Sequence, residues 1–243
     1  MGPMGSEQAD VVLEAVNIAG VPVLLGRPTN DGGPWPTVLW YHGFRADALA
    51  HAADLERLAS AGFLAVGIDA VGHGARLDHT ISDRISTTEG GAMSVMLPLV
   101  DQSIDEIPAL ISALVASQDA DPSSVSLVGI SMGAFLAYRA IAQGLRFRTV
   151  VALLGSPEQP GADSPHHGID AFEDIGLLSV VAEHDVSVPP EPARAFHAAL
   201  AARFGSSQLH RHHVLRGAGH LTNAAQWHEA MRVSLDWLHT KAR

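Results

Sequence analysis

The sequence predicts an α/β domain on a mostly parallel central sheet flanked by helices, and three observations carry that reading. From Thr37 to the C-terminus, short apolar runs alternate with helical segments in the order βαβα. Most of those runs are hydrophobic on both faces, as central strands of a parallel sheet must be. The chain has 243 residues and is 47% hydrophobic, which suits one domain with a substantial core.

Val11 to Ile18 and Val21 to Leu25 are β-prone and separated by Ala19-Gly20, a turn signal, so the domain opens on an N-terminal β-hairpin. Thr37–Tyr41, Leu64–Asp69, Val125–Ile130, Thr149–Leu154, Leu177–Ala182 and His212–Leu215 follow as strands. Helical spacing marks Ala48–Ala61, Ser103–Ser117, Met132–Gln143, Ala193–Phe204 and Ala224–His239; Ile104, Ile107, Ile111 and Leu114, for example, share one face. Two stretches break the alternation. Ala75 to Val100 is rich in Thr, Ser and Gly and ends in an apolar patch at Met93, Val95, Met96 and Leu97, which reads as a small lid insertion. Ser156 to Asp170 carries Pro157, Pro160 and Pro165 and reads as an exposed loop. The expected organisation is a flexible N-terminus over 1–10 and a single domain over 11–243, with the lid over 75–100.

Composition removes several function classes. A net charge of −11 with no Lys/Arg-rich run argues against nucleic acid as a partner. Without cysteine there is no disulfide framework, no thiolate nucleophile and no Cys-based metal site, a usage that fits a cytoplasmic location. Residues 1–10 have neither the basic start nor the apolar core of a signal peptide, and no uninterrupted apolar run is long enough to span a bilayer. No residue marks an oligomer interface, so monomer and homodimer both stay open.

Ser131 lies in Gly129-Ile130-Ser131-Met132-Gly133, directly after an apolar strand and directly before an apolar-periodic helix. A strand that turns sharply into a helix forces its corner residue into strained dihedrals, and flanking glycines let the neighbouring backbone pass. A serine hydroxyl needs a base within hydrogen-bond reach, and the base needs a partner to fix its tautomer. His220 is the candidate base: it follows the last strand and the turn Gly217-Ala218-Gly219, and precedes the final helix. Asp185 is the candidate acid, beyond the end of Leu177–Ala182 in Glu183-His184-Asp185. All three fall at C-terminal ends of strands, where open α/β sheets place their chemistry. Backbone N–H groups must stabilise the developing oxyanion. Met132 offers one, and Phe44, in Tyr41-His42-Gly43-Phe44 after the first central strand, offers the other. Phe44, Arg45 and Met96 are the candidate substrate contacts. His166-His167 and His210, His212 and His213 are clustered, but without a carboxylate at ligand spacing and with strand neighbours facing opposite ways; no metal and no cofactor is expected.

These motifs, "HGF" at His42, "DAVGHG" from Asp69 to Gly74, "GISMG", "EHDVSVP" and "GAGH", stand in the order of the α/β-hydrolase superfamily, which the chain resembles from about Thr37 onward. Lacking a large insertion after the elbow strand, it is most similar to the esterase and dienelactone-hydrolase-like branch. The dienelactone enzymes use cysteine where this chain has Ser131, so the resemblance to them implies the fold only. It also implies that Asp69, His73 and Gly74 buttress the loop beside the site.

The expected activity is hydrolysis of a small-molecule carboxylic ester, with small to medium acyl groups, through an acyl-enzyme on Ser131. A peptidase, thioesterase or C–C bond hydrolase would use the same triad, and a non-catalytic ligand-binding protein could keep the fold. Turnover of short aryl esters separates the first reading from both.

Overall fold

A computed structural model describes residues 11–29, 32–205 and 208–241; the expectation for residues 1–10 lies outside them. Eight strands form one sheet: β1 (Leu13–Ile18), β2 (Val21–Gly26), β3 (Trp35–Tyr41), β4 (Leu64–Ile68), β5 (Ala120–Ile130), β6 (Thr149–Leu153), β7 (Gly176–Ala182) and β8 (His210–Leu215). Their spatial order is β1-β2-β4-β3-β5-β6-β7-β8. β1 and β2 form the antiparallel hairpin that the sequence predicts, closed by Ala19 and Gly20, both at positive φ as a two-residue hairpin turn demands. β2 pairs antiparallel with β4, and every later pairing is parallel. This is an α/β-hydrolase fold.

The central strands are buried on both faces, and the alternation of side chains divides the core in two. Leu39 and Tyr41 of β3 belong to one cluster while their neighbours Val38 and Trp40 belong to the other. On the first face lie α3 (Gly91–Ala116), α4 (Met132–Ala142) and α5 (Glu191–Phe204), preceded in the chain by the helices α1 (Ala52–Ser60) and α2 (Ile81–Thr87); α1 and the final helix α6 (Ala224–Lys241) cover the second face. Parallel connections need such crossovers, and they bring the C-terminal ends of β3 to β8 to one edge of the sheet.

The helix over Ser103–Ser117 starts twelve residues earlier than the sequence predicts, at Gly91, and runs through Pro98 and Pro108. Residues 75–100 therefore comprise a short 3-10 turn, α2 and the first part of α3 instead of an irregular insertion. A mid-helix proline costs about 3 kcal/mol. Burial of Val95, Leu99, Val100, Ile104, Ile107, Leu110 and Leu114 on one face of α3, at about 1.5–3 kcal/mol for each large side chain, outweighs two prolines. Gly90 and Gly91, both at positive φ, make the tight entry into this helix.

Candidate active site

Ser131 stands where β5 turns into α4, at φ 50° and ψ −108°, a conformation that costs a residue with a Cβ about 1–3 kcal/mol. The surrounding hydrogen bonds hold it there: its N–H donates to Leu153 O at 2.8 Å, and its carbonyl accepts from the Ala134 and Phe135 amides. The glycines of the motif are required by contact with backbone. A Cβ on Gly129 would lie 1.9 Å from Gly133 O, and one on Gly133 would lie 2.3 Å from Tyr41 O. Neither clash could be relieved by rotating a side chain.

The Ser131 hydroxyl is 3.0 Å from His220 Nε2, and His220 Nδ1 is 2.7 Å from Asp185 Oδ2. A carboxylate only accepts, so Nδ1 carries the proton and Nε2 is left to accept from the serine. Asp185 is almost fully buried, at 4% exposure, and its other oxygen accepts the amides of Ser187 and Val188 at 2.9 and 2.8 Å. The loops carrying the acid and the base are stitched to each other. Glu183 N–H donates to Leu215 O, His184 N–H to Ala218 O, and the Gly217 amide to the Glu183 carboxylate. Glu183 also pairs with Arg216, and these donors hold its carboxyl below the usual carboxylate range. Glu183 directly follows β7, two residues before the acid, and that position is the signal in the sequence that marks it.

The second wall is the loop after β3. A Cβ on Gly43 would meet Ser131 Cβ at 3.6 Å, so this backbone runs directly beside the nucleophile. Among the described residues, neither the Phe44 nor the Met132 amide has a hydrogen-bond acceptor, which leaves both donors available to a ligand. His42 shapes the loop: the Ala70 amide donates to its Nε2 at 3.1 Å, so Nδ1–H donates to Gly43 O at 2.8 Å. Burial pushes this imidazole down to about 4, so it is neutral near pH 7 and fit to accept. Asp69 latches the same loop by accepting the Ala48 amide with one oxygen and the Ala75 amide with the other. His73 packs its ring 5.3 Å from Phe44 and donates from Nδ1 to Val71 O.

A cavity of about 480 Å³ opens on Ser131 and His220, within the range of small-molecule sites. Phe44, Ile130, Leu154, Leu221 and Trp227 are among its walls. Two expected substrate contacts stand elsewhere. Met96 is only 7% exposed and faces the main core, because its position on α3 turns it inward; Met93, one turn earlier, instead lines a neighbouring cavity of about 400 Å³ with Phe135, Ser156 and Val188. Arg45, at φ 65°, swings its guanidinium to Ser82 Oγ at 2.5 Å and does not line the cavity. Leu154, Trp227 and Asp54 do, and no local pattern announces them, since they come from three distant segments.

Known proteins were compared with the chain and its fold. Esterase YjfP of Escherichia coli K12 is 26% identical over 147 residues, which is 60% of this chain and 56% of that protein, so the match spans little over half of its length. The structure of TT1662 from Thermus thermophilus superposes with a TM-score of 0.78 at 23% identity, covering 96% of this chain and 98% of the other. The esterase Pf2001 of Pyrococcus furiosus does so at 0.68 and 15% identity, over 100% and 97%. At those identities the two structures establish the α/β-hydrolase architecture. The dienelactone hydrolase family model matches residues 21–237, nearly the whole domain and every residue of the constellation at Ser131, and the chain belongs to that family.

Proposed function

We propose that the protein is a serine-dependent hydrolase of carboxylic esters with small to medium acyl groups. The observation that carries this is the unbroken path from the Ser131 hydroxyl through the His220 ring to the buried Asp185 carboxylate, with bonds of 3.0 and 2.7 Å. Ser131 Oγ attacks the ester carbonyl while its proton passes to His220 Nε2. The C–O bond to the alcohol then breaks, and the imidazolium returns the proton to the departing oxygen. A water molecule, deprotonated by the same nitrogen, releases the acid and restores the serine. Asp185 holds the reactive tautomer and offsets the imidazolium charge. The Phe44 and Met132 amides receive the oxyanion, each contributing roughly 3–4 kcal/mol if they act as such donors do elsewhere.

The ester class is supported by the esterase relatives and by a cavity with several apolar walls whose volume limits the substrate. In this reading residues 75–100 act as a lid at one remove, supporting the cavity wall through the packing of Phe44 on Ile81, Val95 and Leu99. The test is steady-state hydrolysis of p-nitrophenyl esters from acetate to laurate by the parent and Ser131→Ala. The reading expects kcat/KM to peak between the two- and eight-carbon acyl chains and to be lost in the variant. Equal rates for both proteins, or cleavage of oligopeptides in preference to all esters, would refute it.

A further inference from the structure

Besides Ser131 and His220, the cavity is lined by Asn223 and by a wall where a carboxylate meets two rings. The carboxylate is Asp54, in the first turn of α1, which lines the cavity although only 7% exposed. Trp227 Nε1–H donates to its two oxygens at 3.3 and 3.1 Å, tying α6 to α1. His51 Nδ1 is 3.5 Å from it, and the His51 and Trp227 ring centroids are 6.0 Å apart. The remaining partner is Arg57 at 3.6 Å, whose side chain is 42% exposed and outside the cavity lining. The half-exposed Arg57 guanidinium at this distance offsets part of the charge from the solvent side, and an indole N–H satisfies an oxygen without discharging it. Among the described lining residues, Asp54 is the one Asp, Glu, Lys or Arg, so the fixed field inside the cavity is negative at that end. A carboxylate held at the edge of an indole in a partly desolvated pocket is the chemistry that attracts an organic cation.

Direction follows from the general acid. His220 hands its proton to the leaving oxygen, so the alcohol half of an ester lies on the side of His220, whose following loop, Leu221 to Ala224, lines the same cavity as Trp227 and Asp54. We propose that the Asp54–Trp227–His51 wall selects esters whose alcohol half carries a quaternary or protonated amine; this rests on the roles given above to Ser131 and His220.

The test uses an isosteric pair, butyrylcholine and 3,3-dimethylbutyl butyrate, which differ in a nitrogen cation against a neutral carbon. In the parent the kcat/KM ratio is expected to favour the cation about tenfold, the worth of one partly desolvated contact. In Asp54→Asn, which keeps an acceptor for Trp227, the ratio is expected to fall to within about threefold of unity; because it is a ratio, any general loss of folding cancels. Calorimetry on Ser131→Ala, with choline against 3,3-dimethylbutan-1-ol, reads the same preference without turnover. Preferential choline binding with neither ester cleaved would refute the esterase reading, and with it the selection of esters, and would support only the wall's preference for a cation. Both esters cleaved at equal kcat/KM with choline bound no better, or a preference unchanged in Asp54→Asn, would overturn it.

Discussion

Ser131 holds a positive φ because each neighbour leaves it no alternative, and the consequences can be measured one residue at a time. Gly129→Ala places a methyl 1.9 Å from Gly133 O, so the elbow must open. The account predicts at least a hundredfold loss of kcat and a destabilisation on the order of 3 kcal/mol, from ester kinetics and urea melts. Asp185→Asn leaves the volume unchanged but lets the amide donate to Nδ1, favouring the tautomer that cannot accept from Ser131; kcat should fall roughly 10⁴-fold with KM little moved. The residues of this constellation are legible in the sequence because strand-end position and chain order select Asp185 and His220 from many acids and fourteen histidines. Met96 and Arg45 stand outside the cavity lining for a reason the sequence does not carry. Their direction is set by helix phase and by one left-handed φ, which a residue pattern does not carry.

At the scale of elements, the loops around the site are held by side-chain acceptors as much as by packing. Asp69 joins the segments at Ala48 and Ala75, and a Cβ on Gly74 would strike its carboxylate, so the "DAVGHG" turn and this acid fit each other. Asp69→Ala strands the buried Ala48 amide while water can replace it at the exposed Ala75 amide, and should cost about 1–3 kcal/mol in a denaturant melt. It should also lower kcat more than it raises KM, since the loop it frees carries the Phe44 amide. Strands and most helices are legible because apolar periodicity reports burial directly. The start of α3 is not, because local rules count Pro98 and Pro108 as helix breakers while the burial that overrides them comes from the sheet and α4. The Asp54–Trp227 bond, between residues 173 positions apart, is invisible for the same reason.

Across the whole molecule, buried histidines set the acid limit of stability. Ser179 joins Tyr138 to His197 in a buried hydrogen-bonded chain, at 2.5 and 2.7 Å, and burial pushes His197 down to about 3; His42 is held at about 4. An unfolded histidine binds a proton below about pH 6.5 while these native ones do not, so stability present above that pH is lost as pH falls from 6.5 toward 4. Each should cost about 2 kcal/mol at pH 5 relative to pH 7, at about 1.4 kcal/mol per pH unit. Urea midpoints at the two pH values check this, and His197→Gln should reduce the difference. Both faces of the sheet and the shared strand ends follow from the βαβ order, so the architecture was readable before any coordinate; the depth and lining of the cavity depend on how distant segments meet.

The central claim is that Ser131 is a nucleophile activated by His220. Intact-mass spectrometry after exposure to an organophosphonate ester tests it most directly, with the parent beside Ser131→Ala and His220→Ala. The account predicts one adduct on the parent, mapped to Ser131 by peptide analysis, none on Ser131→Ala, and labelling slowed at least a hundredfold in His220→Ala. An unlabelled parent that is folded by circular dichroism, or an adduct that persists in Ser131→Ala, would contradict it.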